Sequence, residues 1–319
     1  PFLSAVAAAT AAVILLDCLM SFLGASANDA SFNAWVTDVT EPSNRGRVES
    51  VIAAMPLIAM LLVFGGLDGL TKAGDWQLFF VVVGVLMIAA GLVALVLIRD
   101  VPGEPKQEES LLRAIVHGLR PSAVRENPRL YLALAALAIL GVSTQVFLPY
   151  LIIYVQRYLQ IEAYALVLAV VLTGSAIVSV LGGRVIDRIG KVNAMLPAAA
   201  IYLAGLVIMV FARGLIGVIL AGLVMMSGWM LTTAAIAASV RDYSPIDRVG
   251  MVQGLRMIAY VLIPMVLGPF IGAAVIRNAD EYYEDLGQLK QVPTPGIFVA
   301  AAVVVLFVVI PVQALRRRK

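Results

Sequence analysis

The chain is poor in the side chains that do most covalent and metal chemistry. In 319 residues it has one cysteine, Cys18, and one histidine, His117. A single cysteine excludes an intrachain disulfide framework and any cysteine-built zinc cluster, and a single histidine excludes the paired histidines of metalloproteases. Charge is scarce as well, at 13% Asp, Glu, Lys and Arg against about 25% in a soluble domain. A nucleotide-binding loop needs a glycine five places before its Gly-Lys pair, and before Gly190 and Lys191 that position is Val185. These absences argue against an enzyme, a resident metal or cofactor, and an ATP-driven engine.

What fills the chain instead is apolar. Hydrophobic residues make up 61% of it and the mean hydropathy is +0.97. They fall into blocks of about twenty, the length an α-helix needs to cross roughly 30 Å of hydrocarbon. The expected fold is therefore all-α, a polytopic bundle of membrane helices. The net charge of +3 does not imply a nucleic-acid partner, because the cations lie in loops between spans, where topology accounts for them.

Taken in order, the chain opens on Pro1, and the block Pro1 to Asp38 is too long for one span and too short for two. We read a truncated start, with a first complete span from about Ala11 to Asp38 and the preceding residues belonging to an incomplete neighbour or an extension. Spans then follow at about Val48 to Leu70 and Trp76 to Ile98, joined by the short turn Thr71 to Asp75. From Arg99 to Arg129 the chain is polar and proline-broken. Its segment SLLRAIVHGLR sets Leu111, Ile115 and Leu119 on one face, as a helix lying on the membrane surface would. Six further spans are expected at about Leu130 to Tyr154, Ala163 to Leu181, Val192 to Phe211, Leu215 to Val240, Gly250 to Ile276 and Gly296 to Leu315. The domains are thus a partial bundle over 1–98, a linker over 99–129 and a six-helix bundle over 130–319. The stretch Gly182 to Lys191, GGRVIDRIGK, reads as a polar loop in which two glycines let the backbone turn.

Cytoplasmic loops hold the excess of Lys and Arg. Arg45, Arg47, Arg99, Arg184, Arg188, Lys191, Arg241, Arg248 and the tail Arg316 to Lys319 fall on one side, and Lys72, Arg157, Arg213, Arg277 and Lys290 on the other. This places the C-terminus in the cytoplasm and the start of the first span outside, in an inner (cell) membrane. An internal repeat accompanies the alternation. Asp38, Pro42, Arg45 and Gly46 in TDVTEPSNRGRVES correspond to Asp242, Pro245, Arg248 and Gly250 in RDYSPIDRVGMVQG. Two spans follow each copy, which suits parallel six-helix halves.

These residues resemble the major facilitator superfamily. Gly183, Asp187, Arg188, Gly190 and Lys191 match the second copy of its loop signature, and Asp38 to Gly46 is similar to its loop between helices four and five. The resemblance covers essentially the whole chain and implies two pseudo-symmetric halves of a twelve-helix fold, the first lacking about three helices here. It also implies a cytoplasmic gate in which Arg188 pairs with Asp242 and Asp187 faces the helix N-terminus near Gly46 and Arg47, with Asp38, Arg45 and Arg248 in equivalent places. A carboxylate at a helix N-terminus is favoured by about 0.3–1 kcal/mol. The bland alternative is a basic loop that only sets topology. Drug antiporters of the family carry a glycine-proline-rich motif in helix five, and Val48 to Leu70 offers only Pro56 and Gly65-Gly66.

Ionisable groups inside spans are costly and mark function by default. Asp29 lies nine residues before Asp38, about 13 Å along a helix. Ser26, Asp29, Asn33 and Thr37 form a stripe with Asn28 alongside, either an ion or substrate site or a staple between helices. Gln253, Arg256 and Tyr260 share another face. Arg256 binds an anionic substrate, pairs with a carboxylate such as Asp29, or snorkels to the interface. Gln145, with Ser143 and Thr144, interrupts its span before Pro149, and Trp229 with Thr232 and Thr233 is deep enough to line a cavity and stack on a sugar ring. The expectation is a monomeric secondary transporter, a symporter for a sugar or similar small solute, coupled if at all to H+ or Na+. Efflux of organic compounds or a transport-inactive sensor are the alternatives.

Overall fold

A computed structural model describes residues 2–25, 32, 35, 55, 59, 62–98, 118–245, 249–277, 279–285 and 288–317. The chain divides into two compact units, Pro1–Lys106 and Gln107–Lys319.

In the first unit α1 spans Phe2–Ala25 as one continuous helix. The residues before Ala11 are therefore the first turns of this helix and not a separate neighbour. Nothing in FLSAVAAATAA breaks a helix, and its alanines carry the highest helix propensity. A π-helical turn, Leu62–Leu67, runs into the short α2, Asp68–Lys72, so the second span ends two residues later than Leu70. The extra turn is held by an Asp68–Lys72 ion pair of 2.6 Å and by Thr71 Oγ1 donating to the Asp68 carbonyl at 2.9 Å. Gly74, at φ 79°, turns the chain into α3, Trp76–Leu97. That helix is apolar around its circumference and has no buried residue, the composition of a span whose surroundings are hydrocarbon.

The second unit opens with α4, Pro121–Glu126, and α5, Pro128–Phe147, each with proline in its first turn, where the missing N–H costs nothing. Asn127 caps α5 by accepting from Leu130 N at 3.3 Å. Pro149 cannot donate and its ring crowds the Gln145 carbonyl. The span accordingly passes through a 3-10 turn, Leu148–Tyr150, one α turn, Leu151–Ile153, and a π turn, Tyr154–Tyr158. It reaches Tyr158 rather than Tyr154.

α6 runs Tyr164–Ile189 and α7 Lys191–Phe211. The loop expected over Gly182 to Lys191 is thus corrected to a single residue. Gly190, at φ 87° and ψ 137°, makes the whole turn. Gly182 remains helical and serves a different purpose, since a Cβ there would overlap the Leu231 side chain of α8, Gly214–Tyr243. The next span comprises α9, Val249–Met257, a π segment, Ile258–Leu262, and α10, Ile263–Ile276. Pro264 follows the π segment and withholds the N–H that an α-helix would direct to the Tyr260 carbonyl. A hairpin of β1, Tyr282–Asp285, and β2, Gln288–Gln291, pairs Tyr282 with Gln291 and Tyr283 with Lys290. The sequence shows no apolar block between the spans Gly250 to Ile276 and Gly296 to Leu315, where the hairpin forms. The last span is α11, Gly296–Leu306, and α12, Val309–Arg317, interrupted at Phe307 and Val308 because Pro311 crowds the Phe307 carbonyl.

Among the described residues seven helices are long and apolar enough to cross a membrane, with a shorter apolar stretch, Ala7–Ser21, inside α1. The core of the second unit gathers Leu130, Leu137, Leu140, Phe147, Tyr154, Met195, Tyr202, Leu206, Met225, Ile236 and Phe298. Glycine lets its helices approach backbone to backbone. A Cβ on Gly205 would overlap Met225, one on Gly228 would overlap Tyr202, and one on Gly268 would overlap Gln145. Gly205→Leu and Gly228→Leu should each lower the thermal midpoint in detergent by an amount equivalent to about 1–3 kcal/mol. Gly91→Ala on α3, where nothing lies within 4 Å, should not lower it and should raise it by an amount equivalent to about 0.5–1 kcal/mol.

Candidate functional site

The second unit disposes of its interior hydroxyls in two ways. One set is consumed. Ser143 Oγ donates to the Ala301 carbonyl at 2.8 Å and lies 3.1 Å from Tyr202 Oη, while Thr144 Oγ1 donates to the Leu140 carbonyl at 3.0 Å and lies 3.4 Å from Tyr202 Oη. Ser143 and Tyr202 are fully buried. This knot ties α5, α7 and α11 together, and it accounts for Ser143 and Thr144 as structural groups. Thr232 and Ser239 are spent likewise, on the Gly228 carbonyl at 2.6 Å and the Ala235 carbonyl at 3.0 Å.

The other set has no such partner. Trp229 and Thr233 stand one turn apart on α8, i and i+4, and so share a face. The Trp229 indole N–H is shielded from solvent without an acceptor, and Thr233 Oγ1 meets no partner at hydrogen-bond geometry. Thr233 lies in range of the Tyr260 phenol, and the Arg256 charge acts on the same phenol. Tyr260 is carried on the π segment Ile258–Leu262. Such segments widen a helix by a residue, redirect the side chains on it and are frequent at functional sites. Arg256 sits on α9 one turn earlier, half-buried, and no described residue pairs with it.

Thr233 thus lies within reach of Tyr260, with Trp229 on the same face of α8 as Thr233, and Arg256 stands on α9 just before the π segment. Gln253 is exposed on α9, and Gln145 is half-buried on α5, where its backbone supports Gly268 of α10. Neither amide hydrogen-bonds to that group. Ser26, Asn28, Asp29, Asn33, Asp38, Arg45 and Arg248 lie outside the described residues, as does the Asp187 side chain.

At the end of the unit that carries the Gly190 turn, Lys191 Nζ lies 2.6 Å from Asp242 Oδ2. Asp242 therefore pairs with Lys191, where the resemblance assigned it to Arg188. The cause is local. Because α6 continues to Ile189, Arg188 is still on its last turn, whereas Lys191 opens α7, the closest neighbour of α8. With side chains 34% and 51% exposed, the pair is half-solvated and contributes less than about 1 kcal/mol. Asn193 Nδ2 donates to the Ile189 carbonyl at 3.0 Å and Arg316 to the Asn193 carbonyl at 2.9 Å, which fixes the turn. The chain entering the unit is docked at this same end. Asn127 Nδ2 donates to the Tyr243 carbonyl at 2.7 Å, and the Tyr131 hydroxyl donates to the Gly118 carbonyl. A cleft of about 240 Å³ lined by Ala123, Glu126, Asn127, Tyr131, Pro245 and Met251 opens here, away from the Trp229 face.

The opposite end holds an aromatic cluster that the sequence reading missed. Tyr154 stacks on Tyr158 at 5.2 Å and meets Phe298 edge-on at 5.0 Å, Arg213 lies over the Tyr158 ring, and Arg157 lies 5.7 Å from the Tyr283 ring on the hairpin. Tyrosines and arginines clustered at span ends give a hint of it, because such side chains collect at membrane interfaces.

A multi-pass helical bundle, with polar groups left unpaired on one face of its second unit, is the form of a membrane transporter. The chain belongs to the Major Facilitator Superfamily, whose family model matches residues 2–232 and 136–319. A search of curated proteins finds no match. Members of the superfamily are transporters and not enzymes.

The two sets of hydroxyls differ in what their removal does. Tyr202→Phe should destabilise the protein by about 0.5–1.5 kcal/mol, the ordinary worth of a buried hydrogen bond. Thr233→Val, which keeps the shape of the side chain and removes a buried hydroxyl without a partner at hydrogen-bond geometry, should raise the thermal midpoint by an amount equivalent to about 1 kcal/mol.

Proposed function

We propose that the protein is a secondary carrier that moves a small polar solute, a sugar or similar metabolite, by alternating access between its two helical units. The observation that carries this reading is the Trp229 face. Buried polar groups in proteins are nearly always hydrogen-bonded, and each one left alone costs about 1–3 kcal/mol. An indole N–H and a threonine hydroxyl without a partner at hydrogen-bond geometry, one turn apart on α8 and with Thr233 within reach of the Tyr260 phenol, are groups held ready for a ligand. The Trp229 ring supplies an apolar surface against which a sugar ring stacks.

Coupling is assigned to Asp29, the carboxylate nearest the middle of its span in the sequence. Protonation or sodium binding there would neutralise it for passage through the low-dielectric state. The Lys191–Asp242 pair and the Gly183, Asp187, Arg188, Gly190 and Lys191 signature serve as the gate on the cytoplasmic side, where the positive-inside bias also sets the C-terminus in an inner membrane. The pair is weak enough to break and re-form with each cycle.

Reconstituted proteoliposomes test both parts. Saturable counterflow of a labelled solute is expected for the parent protein. Asp29→Asn should keep counterflow while losing accumulation driven by a pH or sodium gradient. Driven uptake by Asp29→Asn that equals the parent at every pH and sodium level sinks the coupling, and binding without any flux marks a sensor.

A further inference from the structure

We propose that α12 carries a binding site for a phospholipid with an anionic headgroup, its phosphate on Arg317 and one acyl chain along the outer face of the last span. The site is separate from the Trp229 face of α8 and does not depend on which solute is carried.

The sequence sets the first condition. From Gly296 to Lys319 the chain contains no Asp or Glu, and it ends on the successive cations Arg316, Arg317, Arg318 and Lys319. Cations at a helix C-terminus complement its dipole and a basic end fixes topology, so charge alone does not make a site. Packing supplies the second condition. Pro311, Val312 and Leu315 of α12 are buried, and Arg316 Nη2 donates to the Asn193 carbonyl at 2.9 Å. Those contacts fix the rotation of the helix about its own axis. Arg316 is thereby turned toward α7, while Arg317, about 100° further round, is exposed.

Arg317 does not stand on a flat surface. With Ile310, Gln313 and Ala314 it lines an open groove of about 390 Å³. These positions recur at three and four residues and so share one face of α12. Ile310 continues the stripe of Val303, Leu306 and Phe307, and each of the four is more than half exposed. From Val303 to Arg317 the helical rise is about 21 Å. One leaflet with its headgroups measures about 20–22 Å, so the stripe runs from the middle of a bilayer to the depth of the headgroups.

A guanidinium above an apolar groove matches a phosphodiester that carries a hydrocarbon chain. The fork takes two phosphate oxygens, and the chain fills the groove against Ile310 and Phe307, gaining dispersion contacts that a gap would forfeit. A zwitterionic lipid brings its own cation next to the phosphate, and the basic run repels it. An anionic lipid brings none, and basic residues immediately beyond a span are the pattern that attracts such lipids. A second copy seated by this same face would set another basic run at the same depth, which charge repulsion opposes.

Purified, delipidated protein in detergent tests the site. Dioleoylphosphatidylglycerol should raise the thermal midpoint saturably, and dioleoylphosphatidylcholine and inorganic phosphate should not. Arg317→Gln should raise the half-saturating phosphatidylglycerol concentration about five-fold. Gln313→Trp, which fills the groove and keeps every cation, should weaken the lipid at least as much. Circular dichroism and a monodisperse elution profile verify that each variant is folded. The inference is overturned by phosphatidylcholine acting as strongly as phosphatidylglycerol, or by no response to either. Inorganic phosphate reproducing the shift would make this a free-anion site. Stabilisation by phosphatidylglycerol that Arg317→Gln or Gln313→Trp leaves intact would reduce the basic run to diffuse attraction. Elution as a dimer that Gln313→Trp converts to a monomer would assign the groove to a second copy.

Discussion

Backbone-to-backbone approach at glycine is the constraint on which the second unit depends. Lipid tails are as apolar as leucine, so no hydrophobic effect drives one membrane helix against another, and close packing has to supply the attraction. Gly205 and Gly228 let α7 and α8 meet main chain to main chain, Gly268 and Gly272 do the same for α10 against α5, Gly141 admits the Pro264 ring, and Gly174 and Gly182 admit leucines of α8 to α6. Tyr202 reaches Ser143 and Thr144 because α7 is held at that distance. The polar knot is thus a consequence of small-residue packing, and it locks the register that the packing allows.

That register decides which polar groups are available. Residues one or two positions apart have opposite fates: Thr232 bonds back to Gly228, while Thr233 stands within reach of Tyr260, and Ser143 is buried in the knot while Gln145 is half-exposed. A helix turns its side chains by about 100° per residue, so one position separates a hydroxyl spent on the backbone from one without a partner at hydrogen-bond geometry. Proline adds the second element of control. Pro149 and Pro264 each disturb the hydrogen-bond ladder near a polar group, and the segment before Pro264 is the π turn that carries Tyr260. Tyr260 thus sits where its helix is least regular, as elsewhere in membrane proteins where freed backbone groups are re-satisfied by neighbours.

Most of the fold was legible from blocks of apolar residues. Trp76 to Ile98, Val192 to Phe211 and Gly250 to Ile276 were placed to within about two residues, because span length is imposed by the bilayer and apolar composition reports it directly. The reading failed where polar residues continue a helix beyond the hydrocarbon. Gly182 to Ile189 looks like a loop by polarity, yet it is the last two turns of α6, since charged side chains at a helix end cost nothing once they reach water. The hairpin at Tyr282 to Gln291 was hidden because two four-residue strands carry no apolar block. For the site, the sequence identified Trp229, Thr233, Arg256 and Tyr260 as candidates by type and depth. It had no means of separating Thr232 from Thr233 or of replacing Arg188 by Lys191 as the partner of Asp242.

By itself, then, the sequence determined a polytopic helical membrane protein and its superfamily, through the GGRVIDRIGK signature, the half repeat and the spacing of its apolar blocks. These are properties of composition and order along the chain, and they survive any error in where a helix points. Tertiary structure decided which of two neighbouring hydroxyls is used up and which remains, and which cation meets Asp242. Those outcomes depend on helix rotation and on contacts between residues dozens of positions apart, which close packing at glycine fixes and no local pattern encodes.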